Sequence, residues 1–152
     1  MANPFIISIE EGLPLFGVVA PVATATVTEL PGTGVFPASL NPVHSIRSDQ
    51  AWGVRVQWST GGALGPLLSG NWNVTVYLDR MAGGAHTPVV QSKPVQSTDP
   101  AHYVVDIPFA AGAVPAGAYR MAVTITMTGP TGVPAPIGGV GDGPLLQFYD
   151  AA

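Results

Sequence analysis

Apolar residues recur at every second position over four long stretches of the chain, and a period of two is typical of a β-strand with one buried face. The first stretch is WGVRVQWST (52–60), in which Trp and Val alternate with mostly polar residues. The others are NWNVTVYLDR (71–80), HYVVDIPF (102–109) and AYRMAVTITMT (118–128). Each of them predicts a half-buried antiparallel strand.

Weaker segments complete the predicted sheet. Residues 18–28 are rich in Val and Thr, but Pro21 interrupts them, which suits an edge strand or a bulge. No window of ten or more residues shows a helical period with caps. The predicted strands are 18–28, 51–60, 71–80, 88–92, 102–109, 117–128 and 144–150.

About seven strands joined by turns rich in Gly and Pro, in a chain of 152 residues, predict an all-β fold. The architecture we expect is a single antiparallel Greek-key β-sandwich, with an eight-stranded barrel as the alternative. Alternation places the inward residues of three strands at its centre. The predicted central core is Trp58, Trp72, Val74, Val76, Met121, Val123 and Ile125.

One segment, IPFAAGAVPAGAYRMAVTITM (107–127), resembles the passage between the fifth and sixth strands of immunoglobulin-like and fibronectin-type-III-like sandwiches. The resemblance implies that Tyr119 occupies the tyrosine-corner position and that Met121 lies where antibody domains place their second core cysteine. The alternative is that Tyr119 is simply an inward aromatic residue on a strand. The resemblance covers residues 50 to 150 and implies a widespread fold, not a function.

Composition changes this picture mainly through charge. Charged residues make up 9% of the chain, against about 25% in ordinary soluble domains, while hydrophobic residues make up 47%. The formal net charge is −4 and the five basic residues are scattered, so nucleic acid is not expected as a partner. Cysteine is absent, which removes disulfides and thiolate chemistry.

The N-terminal region is apolar, but its details do not match a secretory signal or a membrane span. No Lys or Arg precedes Arg47, and Glu10 and Glu11 interrupt the region where an apolar core would lie. Gly and Pro residues between positions 12 and 21 would break a spanning helix. We therefore expect a soluble, cytoplasmic protein without a cleaved signal or a membrane span.

Candidate chemistry is sparse. His44, His86 and His102 lie in separate segments without a metal-binding spacing, and His102 and Asp106 lie about 13 Å apart along their strand. The Gly-rich stretches STGGALGPLLSG (59–70) and PIGGVGDGP (136–144) lack a phosphate-loop ending and are predicted to be hairpin loops, with Asp142 in a turn. We therefore predict no enzymatic activity, no catalytic residue, no metal and no cofactor.

The N-terminal stretch NPFIISIEEG (3–12) carries apolar side chains on both faces of an extended strand. We predict an arm over residues 1–17, followed by the β-sandwich domain over residues 18–152. Residues 4–10 would pack on a neighbouring copy by strand addition, in a head-to-tail ring or filament. The predicted subunit contact is Phe5, Ile6, Ile7 and Ile9. The alternative is that the arm folds back as an extra strand of its own sheet.

The function we predict is structural: a non-enzymatic self-assembly protein that forms homo-oligomers through the arm and the sandwich. Its basis is the low charge and outward strand positions occupied by Thr, Ala, Asn and Gln. The alternative is a ligand-binding module for carbohydrate or adhesion. Its candidate aromatic residues are Trp52, Trp72, Tyr77 and Phe36, of which only Tyr77 is predicted by alternation to face outward.

Overall fold

The computed structural model describes residues 4–11, 22–32, 34–60, 69–96 and 101–150, and in these residues it contains nine β-strands and no helix. None of the described residues therefore forms a helix of the length and apolarity that a membrane crossing requires. The strands are β1 (Phe5–Glu11), β2 (Val22–Glu29), β3 (Ser45–Arg47), β4 (Trp52–Thr60), β5 (Asn71–Arg80), β6 (Val89–Pro94), β7 (Ala101–Phe109), β8 (Gly117–Thr128) and β9 (Pro134–Tyr149).

All nine strands belong to one sheet. Its order is β6-β5-β8-β9-β1-β2-β4-β7, and every neighbouring pair on this path is antiparallel, whereas β3 pairs in parallel with the last residues of β9. The all-β antiparallel class is therefore confirmed. The predicted count of about seven strands is too low, because β1 and the three-residue β3 were not counted.

β1 joins two halves of the sheet. Phe5 to Ser8 lie opposite Ala25 to Val22 of β2, and Ser8 to Glu11 lie opposite Val140 to Ile137 of β9. Ser8 is the residue where the strand passes from one partner to the other. One half of the sheet is thus β6-β5-β8-β9, and the other half is β2-β4-β7.

The two halves face each other across a shared core. Trp58 on β4 makes an edge contact with Trp72 on β5 at 5.5 Å between ring centroids, although these strands are not neighbours in the sheet. Trp52 on β4 also contacts Phe148 on β9 across the core, with tilted rings whose centroids are 5.2 Å apart. The predicted central core is confirmed, since all seven of its residues are buried.

The end strands β6 and β7 approach each other on the far side. The Lys93 ammonium group donates to the carbonyl oxygen of Val104 at 3.2 Å, and the Gln96 amide donates to the Tyr103 hydroxyl at 2.9 Å. Both hydrogen bonds involve a side chain, and the strand order does not pair β6 with β7. The result is a nearly closed, barrel-like sheet.

The Gly-rich stretch near the C-terminus is not a hairpin loop, as the sequence predicted, but part of β9, and Asp142 is an exposed strand residue opposite Ala122. Its glycines allow β1 to approach closely. A Cβ on Gly139 would overlap the carbonyl oxygen of Ser8, and one on Gly141 would lie 2.6 Å from Ile7 Cγ1. Glycine at these positions hides the period of two, which is why the predicted strand began only at residue 144.

Tyr119 closes the turn that precedes β8. Its side chain is buried, its hydroxyl donates to the carbonyl oxygen of Pro115 at 2.9 Å, and its ring packs edge-on against Phe148. A buried tyrosine hydroxyl needs such a partner, because an unpaired polar group costs about 1–3 kcal/mol in the core. The bond therefore anchors the start of the long β8 to the preceding turn.

We expect Val123→Asp to prevent folding, because Val123 is fully buried in β8 and an unpaired carboxylate there costs several kcal/mol, a large share of the stability of a domain. Thr126→Asp, on the exposed face of the same strand, is the matched control and should stay folded. Circular dichroism and urea unfolding of both variants measure the difference. Equal stability of the two variants would contradict the observed register of β8.

Candidate functional site

The four predicted subunit-contact residues all lie on β1, within the sheet of their own chain. Ile7 and Ile9 are buried and Phe5 is half-buried against the core, whereas Ile6 is 63% exposed on the outer side. In the single chain the arm thus folds back as a strand, which is the alternative considered above. Residues 1–3 and 12–17 of the predicted arm lie outside the described residues. Contact between copies through β1 stays a prediction.

The edges of the sheet are poor templates for an added strand. The Val104 carbonyl oxygen accepts a hydrogen bond from Lys93 of β6, so it points away from β4. Every second residue of a strand directs its N–H and C=O groups to the same side, so those of residues 106 and 108 on β7 also face away from β4. Pro108 occupies one of these positions and has no N–H to donate. The opposite end strand, β6, ends in Lys93 and Pro94. Lysine and proline at a sheet edge discourage strand addition.

A broad part of the outer surface carries no charge. Register places Val90, Thr75, Thr124, Val140 and Ser8 in one row across β6, β5, β8, β9 and β1. Five strands about 4.8 Å apart make this row roughly 19 Å wide. We call this surface, together with the adjoining outward residues Ile6, Tyr77, Ala122 and Thr126, the uncharged face.

The uncharged face exposes large apolar side chains. Ile6, Val140 and Val90 are each more than half exposed, and Tyr77 is 42% exposed. Threonines 75 and 124 lie between them in the register. The exposed Asp142 lies at its margin opposite Ala122, and Asp79 lies opposite Arg120 beyond Tyr77. The sequence correctly predicted Tyr77 as outward, but the exposed valines come from β6 and from the glycine-rich part of β9, where alternation was weak.

A second surface lies on the outside of β2, β4 and β7. A groove of about 410 Å³ there is lined by the side chains of Thr24, Gln57, Ser59, His102 and Val104, and we call it the polar groove. Within the described part of the chain, the first four of these residues make no side-chain hydrogen bond. The groove therefore offers neutral donors and acceptors without a carboxylate.

Next to the polar groove, Arg55 and Asp106 form an ion pair across β4 and β7. Arg55 Nε and Nη2 donate to the two carboxylate oxygens of Asp106 at 2.7 and 3.0 Å. The hydrogen bond to Asp106 raises the pKa of Arg55 above its ordinary value, against the opposing effect of partial burial. The Phe36 ring lies 5.6 Å from the guanidinium carbon. The sequence did not predict this pair, because Arg55 and Asp106 lie on separate strands that the register brings opposite each other.

The other residues considered for chemistry lie apart. Among the residues that the structure describes, no group of three or more His, Cys, Asp or Glu side chains is close enough to hold a metal ion. His102 is exposed and makes no hydrogen bond with Asp106. Of the aromatic residues proposed for glycan binding, Trp52 and Trp72 are core residues and Phe36 covers Arg55. Tyr77 alone is exposed on an outer face.

Comparison with known proteins gives a fold and no family. No protein-family model matches the sequence, and no curated protein matches it. Among solved structures, the chain is similar to the crystal structure of the C-terminal domain of Wzt, with a TM-score of 0.58 and 10% sequence identity. The alignment covers 96% of this chain and 80% of the other. At this identity the likeness concerns the fold alone.

Proposed function

We propose that this protein is a non-enzymatic structural protein whose copies assemble through the uncharged face. The observation that carries the proposal is a surface five strands wide that exposes Ile6, Tyr77, Val90 and Val140 and whose central row contains no charged side chain. Contiguous exposed apolar patches of this kind mark interaction sites on soluble proteins. Depletion of charge is also typical of the centre of protein interfaces.

A second copy of the chain is the partner that fits this surface. Both sides of such a contact would present the uncharged row of mostly β-branched residues at the centre, where burial of an unpaired charge would be costly, and would leave Asp142 at the margin. The blocked edges of β6 and β7 favour contact through a face over strand addition at an edge. Isologous stacking of the face would give a two-fold pair.

The N-terminal strand offers an additional route between copies. β1 of one chain can occupy the position between β2 and β9 of another chain and make there the same contacts that it makes within its own chain. Phe5, Ile7 and Ile9 would then enter the neighbour's core, while Ile6 stays on its outer face. One-way exchange builds a head-to-tail chain, and reciprocal exchange builds a closed pair.

For the architecture, we propose an immunoglobulin-like β-sandwich that is closed on one side by β1. Strands that pass from one sheet to the other form the corners of such sandwiches, and β1 divides its pairing between the two halves in that manner. The bond from Tyr119 to Pro115 supports the proposal, because a tyrosine corner bonds the backbone a few residues upstream.

The polar groove favours a second candidate function, the binding of a neutral carbohydrate. Hydroxyl-rich ligands are recognised by convergent neutral donors and acceptors, and Thr24, Gln57, Ser59 and His102 provide both kinds. The candidate is weaker than assembly, because no exposed aromatic ring lines the groove among the described residues. Retention of the wild-type chain on a glycan column, together with loss of that retention in Gln57→Ala, would support this function.

We expect light scattering of the full chain to give a particle mass above the 15.5 kDa of one chain, rising with concentration. Val90→Glu combined with Val140→Glu should lower the mass and remove its rise with concentration through the face, because like charges would face each other across the contact, while any pair formed by exchange of β1 remains. Val133→Glu, at an equally exposed apolar residue in the turn before β9, is the control and should not change the mass. A wild-type chain that stays monomeric at high concentration would contradict the proposal.

Exchange of β1 is tested by mixing two full-length variants, Ile7→Cys and Ala23→Cys. These residues are buried neighbours on β1 and β2, and the natural chain has no cysteine. Cross-strand neighbours lie about 4.5–5.5 Å apart, within disulfide range. We expect a covalent heterodimer on a non-reducing gel. Contact through the uncharged face cannot produce it, since both positions lie inside the core.

Two controls accompany this mixture. Ile7→Cys mixed with Val105→Cys should give no heterodimer, because Val105 lies on β7, three strands from β1. The double variant Ile7→Cys/Ala23→Cys should form its disulfide within one chain. A double variant that oxidises while the mixture stays uncrosslinked would rule out exchange and would leave the assembly through the uncharged face unaffected.

A further inference from the structure

A cleft of about 390 Å³ lies at one end of the sheet, apart from the uncharged face and the polar groove. Its walls are the turn between β5 and β6 (residues 81–88) and the turn between β7 and β8 (residues 110–116). These turns are distant in the sequence, and they meet because β5 and β8 are neighbouring strands. The volume lies within the range of about 300–1,000 Å³ that is usual for small-molecule sites.

Two nitrogen-bearing side chains, Arg80 and His86, line the cleft. Arg80 comes next in the series of alternate, inward-facing residues of β5. Its side chain therefore points into the end of the sheet, on the opposite side of the strand from that of Asp79. Its Nη2 donates to the carbonyl oxygen of Ala116 at 2.9 Å, which holds the guanidinium group in place and leaves its other N–H groups for a ligand. The His86 ring packs edge-on against Phe109 and bonds the Thr87 carbonyl oxygen through Nδ1.

The backbone of the same turn adds neutral donors. Gly83 and Gly84 both have positive φ angles, 101° and 90°, which reverse the chain at the rim of the cleft. In the described part of the chain, the N–H groups of Gly84 and Ala85 donate no backbone hydrogen bond, although both residues line the cleft. Successive amides in a turn with left-handed residues form concavities that attract anions.

No carboxylate balances these donors. None of the described residues that line the cleft is Asp or Glu, although the whole chain carries a formal charge of −4. The remaining wall is apolar and includes Ala113, Pro115 and the ring of Tyr119. A ligand that fits must therefore combine an anionic group with an apolar body.

We propose that this cleft binds a small organic anion, through its carboxylate or phosphate group at Arg80 and its apolar part against Pro115 and Tyr119. Arg80 supplies the fork of N–H groups that matches two oxygens of such a group. The amides of Gly84 and Ala85 extend the donor set. The site does not depend on assembly, since every wall belongs to one chain.

The test uses the full-length chain and two probes, phenyl phosphate and inorganic phosphate, titrated at low ionic strength and followed by calorimetry or by NMR shifts. We expect saturable binding of both, with phenyl phosphate at least severalfold tighter because the apolar wall receives its ring. Arg80→Gln should weaken phenyl phosphate about tenfold or more, the scale of one charge-assisted bond. Equal affinity for the two probes would indicate a site for free phosphate only and would overturn the organic-anion proposal.

Arg47→Gln is the matched control, because Arg47 is an exposed arginine whose partner Asp49 lies outside the cleft. His86→Gln should weaken binding less than Arg80→Gln, and it keeps the test valid if loss of Arg80 disturbs the turn. Absence of saturation with either probe would overturn the proposal. So would an equal loss from Arg80→Gln and Arg47→Gln, which would show only general attraction of anions to positive charge.

Discussion

The close contact between β1 and the glycines of β9 is the constraint on which the remainder of this fold depends. β1 is the strand that connects the two halves of the sheet by main-chain pairing, since among the described residues β6 and β7 meet through hydrogen bonds that involve side chains. Side chains at Gly139 and Gly141 would collide with the backbone of β1 or with Ile7. The glycines cost some strand propensity, and they permit the closure that buries Ile7 and Ile9.

The surfaces available for function follow from this closure. The central row of the uncharged face is continuous from β6 to β1 because β1 pairs beside β9 and brings Ser8 opposite Val140. The hydrogen bonds from Lys93 and Gln96 hold the edges of β6 and β7 close to each other. A partner therefore contacts the faces of the strands and not unpaired main-chain groups at an edge. The ends of the sheet remain accessible, and there the turns that carry Arg80 and His86 form a cleft.

Sequence periodicity predicted the strands with one buried face and one polar face, and it identified the buried residues of β4, β5 and β8 correctly. It failed where glycine replaces the inward residue, as at Gly139 and Gly141, because the pattern is then lost. It also missed the pair Arg55–Asp106, since the register that places these residues opposite each other is a tertiary property. The cleft was missed for the same reason, because its walls come from separate turns.

Hydrogen exchange of the backbone amides tests the role of β1 most directly. If β1 closes the sheet, its amides between Phe5 and Glu11 will be protected to a degree similar to those of β8, whether the strand sits in its own chain or in a neighbour's. The amides of Gly84 and Ala85, which lie in the exposed turn after β5 and donate no backbone hydrogen bond within the described residues, provide the fast-exchanging reference. Exchange of the β1 amides at the rate of that turn, while β8 stays protected, would contradict the account.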